Sequence, residues 1–87
     1  MSPAAEPTPP TPAVVEFGRR LRARREELGL SQEAAAAKAG VHWSYYARAE
    51  RGQRSSRIDS ILKLAHGLDT SPGALLDGLP LETRELP

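Results

Sequence analysis

Apolar residues recur at helical rather than strand spacing along most of the chain. Val14, Phe17, Leu21 and Leu28 stand at steps of three, four and seven, one face of a 3.6-residue period. The other faces of that stretch carry Arg19, Arg20, Arg22, Arg24, Glu26 and Glu27. The pattern predicts a first helix from about Ala13 to Leu28. Ser31 is a good N-cap, Glu33 suits the positive end of a helix dipole, and Ala34 to Ala37 are the best helix formers available. A second helix is therefore predicted over Gln32 to Ala39. A third follows over Trp43 to Arg51. A fourth covers Ile58 to Gly67, with Ile58, Ile61, Leu62, Ala65 and Leu68 on its inner side. A short fifth helix is capped by Ser71, has Pro72 at its first position, turns Leu75 and Leu76 inward, and ends at Leu79-Pro80. Gly29, Gly40 and Gly52 close the runs of helical composition, as suits a residue that tolerates left-handed geometry. No segment alternates with period two, so no strand is expected and the fold class is all-α.

The flanks differ from this middle. Five of the eight prolines lie in the first twelve residues. Proline fixes φ and removes a donor, so residues 1–12 are expected to be a disordered, partly polyproline-II tail. Its PxxP spacings, Pro7 to Pro10 and Pro9 to Pro12, match ligands of proline-binding domains, although a bland tail is the ordinary reading. The globular domain is then 13–79, followed by a tail over 80–87.

Composition and charge narrow the chemistry. There is no cysteine, which excludes disulfides, thiolate zinc sites and a cysteine nucleophile. His42 and His66 are the only histidines and lie far apart, so no metal site is expected. No phosphate-binding glycine loop and no Ser/His/Asp arrangement stands out, so neither an enzyme nor a cofactor is expected. No small-molecule ligand is evident, and 87 residues leave little room for a separate sensing domain. No apolar run suits a bilayer or a secretory leader, so a soluble, cytoplasmic protein is expected. The net charge of +1 hides an asymmetry: residues 1–12 carry −1, 13–28 carry +2, 29–57 carry +3 and 58–87 carry −3. A basic front and an acidic rear favour a polyanion against one face.

An eight-residue helix, a tight turn at Gly40-Val41 and a second short helix make a helix-turn-helix pattern. The detail goes further. RLRARREELGLSQEA (Arg20 to Ala34), KAGV (Lys38 to Val41), ERG (Glu50 to Gly52), ILKLAHGLD (Ile61 to Asp69) and SPGALL (Ser71 to Leu76) stand in a specific order and spacing. The stretch from Phe17 to Leu76 resembles the Cro and phage-repressor type of helix-turn-helix domain, also called the xenobiotic-response-element family. The resemblance implies a five-helix lambda-repressor-like domain, usually a homodimer. It lays its third helix in the major groove of double-stranded DNA. The implied function is sequence-specific transcriptional regulation, most simply repression at an inverted-repeat operator. The alternative is an antitoxin, restriction-modification controller or bridging module whose tails grip another protein.

On a helical wheel at ~100° per residue, Trp43, Ser44, Ala47, Arg48 and Arg51 share an outward arc, while Tyr46 and Ala49 turn inward with Val41. The resemblance implies that Trp43, Ser44, Ala47 and Arg48 read base edges. Arg48, one turn further, is a candidate for the bidentate contact to guanine O6 and N7, at ~1–3 kcal/mol of discrimination, the alternative being a phosphate contact or a solvated charge. Trp43 either packs on a thymine methyl or a sugar, or folds back over Ala47 or Tyr46. Gln32 is implied to meet the DNA backbone at the start of helix 2. Arg51, Arg54, Ser55, Ser56 and Arg57 form a loop suited to clamping phosphates. Arg25, on the apolar side of helix 1, is implied to form a structural ion pair with Glu50.

The chain also departs from the family. His42 replaces the usual Ser or Thr, and a poor cap is expected to weaken helix 3 by up to ~1 kcal/mol. If His42 faces a phosphate, protonation strengthens binding. Ser56 replaces a common proline and Arg57 stands at the usual cap of helix 4, so the cap is expected to shift to Ser56 and the loop to loosen. Ala35 and Ala49 are smaller than usual, which predicts modest stability with Tyr45 and Tyr46 filling space. The dimer face is expected at Leu75, Leu76, Leu79 and Leu81, with Leu86 as a further candidate.

Overall fold

Five helices follow one another in the computed structural model, which describes residues 10–81: α1 (Pro12–Glu27), α2 (Gln32–Ala39), α3 (Trp43–Glu50), α4 (Ile58–Gly67) and α5 (Pro72–Leu76). No strand occurs among the described residues. Side-chain oxygens of Thr11, Ser31 and Ser71 cap α1, α2 and α5 by accepting from the N–H of Val14, Ala34 and Ala74. Each removes one orphan donor of a first turn. Pro12, assigned to the tail from sequence, is instead the first residue of α1. Its missing N–H costs nothing there, and Thr11 supplies the cap. The rest of the expected N-terminal tail and residues 82–87, with Leu86, lie outside the described residues.

The core joins Phe17 and Leu21 of α1, Tyr46 of α3, Leu64 of α4, and Leu68 and Leu75 beyond it. α1 packs on α3, α2 packs on both α3 and α4, and α5 closes against α4 and α1. Two glycines set how closely these helices approach. A Cβ on Gly18 would lie 2.4 Å from the carbonyl oxygens of Ala49 and Glu50. A Cβ on Gly67 would lie 2.4 Å from the Cα of Ala39. The small side chains at Ala39 and Ala49 thus belong to close helix contacts. Tyr46 fills the interior completely, whereas Tyr45 is only partly buried.

Two expectations about inward faces are corrected. Ile58 is 77% exposed and Leu62 49% exposed, while Leu64, Ala65 and Leu68 are buried and Ile61 partly so. The inner arc of α4 is centred near Ile61 and Leu68, which brings Leu64 in and leaves Ile58 and Leu62 at the margin. On α5 only Leu75 faces inward; Leu76 is exposed. Leu75, at 2% exposure, belongs to the monomer's own core and is unavailable to a dimer face.

Two arginines read from sequence as solvent-facing hold the later helices instead. Arg24 donates from Nε to the Leu68 carbonyl (2.9 Å) and from Nη2 to the Asp69 carbonyl (2.8 Å). Arg20 donates from Nη1 to the Asp77 carbonyl (2.6 Å). These acceptors lie at the ends of α4 and α5, where carbonyls lose their helical partners and a cation is favoured. Among the described residues no helix is long and apolar enough to cross a membrane.

Candidate nucleic-acid interface

The corner between α2 and α3 turns on Gly40, whose φ of 72° is left-handed. The Val41 N–H donates back to the Ala36 carbonyl (3.1 Å) and closes the end of α2. Helix α3 then starts at once. His42 stands at its N-cap, and its Nδ1 accepts from the Ser44 N–H at 3.1 Å, with Ser44 Oγ 2.8 Å away. The expected poor cap is therefore corrected: the imidazole nitrogen takes the place of a hydroxyl oxygen. This bond requires Nδ1 to be unprotonated.

Along α3 the outward residues are Trp43, Ser44 and Arg48, with Ala47 partly covered and Arg51 exposed just beyond the helix. Tyr46, Ala49 and Glu50 are buried. Trp43 is 53% exposed, so much of its indole lies on the surface beside Ser44.

The arginines fall into two electrostatic groups. On α1, Arg19 and Arg20 pair with Glu16, Arg22 with Glu26 and Arg24 with Glu27. The Arg19 hydrogen bond, seconded by Arg20, holds the Glu16 carboxyl down at about 2. By contrast, Arg48, Arg51, Arg54 and Arg57 have no carboxylate partner among the described residues. The arginines of α1 are thus each paired with a carboxylate, and among the described residues the arginines without one lie on α3 and the segment after it.

Beneath this surface lies a buried polar cluster. Arg25 donates from Nε and Nη2 to the two Glu50 oxygens at 2.5 and 3.0 Å, and from Nη1 to the Leu30 carbonyl at 3.0 Å. Gln32 Nε2 also donates to Glu50, at 3.0 Å. Burial works to raise the Glu50 pKa, but the hydrogen bonds from Arg25 and Gln32 outweigh it and hold the carboxyl below its ordinary value. Glu50 in turn raises the Arg25 pKa. The Tyr46 hydroxyl is buried without a well-formed hydrogen bond, and burial followed by the Glu50 charge pushes its pKa up. The Gln32 amide is therefore committed largely to Glu50. What the start of α2 offers a phosphate is the free N–H groups of its first turn.

The segment between α3 and α4 starts with a fixed turn, the Gln53 N–H donating to the Arg48 carbonyl at 2.9 Å around Gly52. Arg54, Ser55 and Arg57 are exposed and Ser56 is partly buried. Ser56 does not cap α4 as expected. Arg57 occupies the cap position without a side-chain bond, and Ser56 Oγ instead accepts from the Tyr45 hydroxyl at 2.5 Å. The sequence carries no sign of this link, because Tyr45 reads there as a space-filling residue and its partner lies eleven positions away. Of the other residues expected at a dimer face, Leu76 and Leu81 are exposed and Leu79 packs partly against the core.

The helix-turn-helix family profile matches residues 21–75. The restriction-modification controller protein C.AhdI from Aeromonas hydrophila is 48% identical, with a TM-score of 0.70 over 72% of this chain and 96% of that one. SinR, a master regulator for biofilm formation solved in complex with DNA, is 39% identical, with a TM-score of 0.66 over 70% of this chain and 98% of its own. The P22 c2 repressor, solved with a synthetic operator, is 34% identical, with a TM-score of 0.66 over 71% and 94%. No curated protein matches the sequence.

Proposed function

The chain belongs to the helix-turn-helix family of Cro and phage-repressor type, and from that premise we propose that it is a transcriptional regulator that binds double-stranded DNA through α3. One observation carries this reading: the solvent-facing side of α3 and the segment after it hold arginines without carboxylate partners, whereas those of α1 are paired. Trp43, Ser44, Ala47 and Arg48 face base edges in the major groove, with Arg48 the strongest reader. Arg51, Arg54, Ser55 and Arg57, the cap region at His42 and the first turn of α2 at Gln32 follow the phosphates. The protein acts as a homodimer on an inverted repeat, as a cytoplasmic repressor. The dimer face is built on Leu76, Leu79 and Leu81, joined by Ile58 and Leu62.

Selection of duplexes from a random pool at near-physiological salt tests the reading. Enrichment of half-sites centred ~10–11 base pairs apart, or a multiple, is the expected result. Arg48→Ala should relax one position of each half-site, at ~1–3 kcal/mol. Weak, salt-sensitive binding with no enriched sequence would refute an operator-specific regulator.

The 48% identity to C.AhdI favours a second, narrower reading, control of a restriction-modification system. Reading frames for an endonuclease and a methyltransferase beside the gene would support it, and a toxin-like frame there would point to an antitoxin instead.

A further inference from the structure

The bond between Tyr45 and Ser56 joins the DNA-facing helix to the arginine-bearing segment, and the base-reading and phosphate contacts above make no use of it. Residues 54–57 have few other hydrogen bonds to hold them. Upstream, the Gly52 and Gln53 N–H groups close the end of α3 on the Ala49 and Arg48 carbonyls. Downstream, the Arg57 carbonyl accepts from the Ile61 N–H, but the Arg57 side chain gives α4 no cap. Between those points, among the described residues, the Tyr45 hydroxyl is the hydrogen-bonding partner of the segment 54–56. Arg54 and Arg57 flank the anchored serine, exposed and without carboxylate partners. A loose segment must lose backbone and rotamer freedom when its arginines settle on phosphates. A segment already tied to the helix that enters the groove loses less.

We infer that Tyr45 is a positioning residue for phosphate recognition. Through Ser56 it holds the segment after α3 so that Arg54 and Arg57 meet the DNA backbone in register with α3. The inference rests on the DNA-binding reading above. It moves Ser56 from the phosphate contacts to the anchor of its segment. The Tyr45 hydroxyl acts on DNA only through that anchor, because its proton is given to Ser56.

The test is DNA affinity of the full chain by fluorescence anisotropy, with a mixed-sequence duplex of about 25 base pairs titrated over a range of salt. Tyr45→Phe keeps the ring and removes only the hydroxyl. It and Ser56→Ala should each weaken binding about three- to tenfold, as the loss of one hydrogen bond implies. Ser56→Thr, which keeps the hydroxyl, should retain affinity. In an Arg54→Ala/Arg57→Ala background, Tyr45→Phe should cost nothing more, since no arginines remain to be positioned. Melting temperatures report folding separately, and Ser56→Ala tests the same bond from its other end. An equal loss from Tyr45→Phe in both backgrounds would mean that the hydroxyl meets DNA directly and would overturn the inference. So would wild-type affinity for Tyr45→Phe when the arginine double variant binds weakly. If the arginine double variant itself keeps wild-type affinity and salt slope, the phosphate-contact reading of the segment fails first, and the inference with it.

Discussion

At the residue scale, Glu50 gathers three hydrogen bonds beneath the outer face of α3, two from Arg25 and one from Gln32. Its pKa is lowered in the folded state, so the folded protein holds fewer protons there than the unfolded chain over the carboxylate range. Its contribution to stability is therefore fully present above the unfolded carboxylate value and is lost as pH falls through the folded one. Glu50→Gln should accordingly be destabilised at neutral pH, and its deficit against wild type should shrink on acidification. Urea unfolding at pH about 7 and about 4 reads this directly, and a constant deficit would refute it. Arg25→Ala is harsher, since it strands a buried carboxylate, and should cost ~3–5 kcal/mol. Arg25→Lys should rescue it only in part, because one ammonium cannot span both Glu50 oxygens and the Leu30 carbonyl. The Arg25–Glu50 pair was accessible from the family resemblance. Gln32 as its third member was not, since an exposed-looking first-turn residue carries no sign of an inward amide. His42 shows the converse. Its side chain was read as a poor cap by residue type, yet Nδ1 reaches the Ser44 N–H. Protonation there opposes that cap even where it favours a phosphate. His42→Ala should lower stability by ~1 kcal/mol and His42→Asn should restore it, as melting curves would show.

At the scale of elements, the ends of helices were more legible than their inner faces. Ser31 and Ser71 announce α2 and α5, and Gly40 announces the corner, because caps and left-handed turns depend on local chemistry. The inner face of α4 was misread because Ile58, Ile61, Leu62 and Leu64 are all apolar and periodicity alone cannot choose among them. The choice is made by a neighbour far away in sequence, where Gly67 lets α4 settle against Ala39 of α2. The same long-range logic makes Gly18 indispensable between α1 and α3. Gly18→Ala and Gly67→Ala each place a methyl against backbone rather than against a side chain that can swing away. Each should destabilise by ~1–3 kcal/mol or more, and circular dichroism melts should show it. Gly78→Ala, whose Cβ would meet no atom within 4 Å, should suffer only from its φ of 70°, by about 1 kcal/mol. Equal losses at all three sites would mean that backbone strain, rather than helix contact, governs these positions.

At the scale of the whole molecule, the unpaired arginines and the exposed aliphatic side chains of α4 and α5 lie on different elements. Among the described residues the arginines without a carboxylate partner lie on α3 and the segment after it, whereas α4 and α5, which pack on one another, leave Ile58, Leu62 and Leu76 exposed. An inverted-repeat operator requires two copies related by a twofold axis, and a self-complementary apolar patch is the natural way to join them. Leu62 is the informative residue in that patch. It is half exposed and lies outside the buried core, so Leu62→Glu should cost the monomer about 1 kcal/mol and leave it folded. In a dimer the same glutamate must be desolvated or must push the partner away. Burying the exposed half of a leucine contributes about 1 kcal/mol, and a twofold interface counts each substitution twice. Sedimentation equilibrium should therefore show Leu62→Glu as a monomer at concentrations where wild type is a dimer. On DNA it should occupy single half-sites without cooperativity. Leu75→Glu serves as the contrast, because its side chain lies in the monomer core and its substitution should unfold the chain rather than split a dimer. A Leu62→Glu variant that stays dimeric and cooperative would place the twofold contact away from α4 and leave Leu76, Leu79 and Leu81 as the surface to test next.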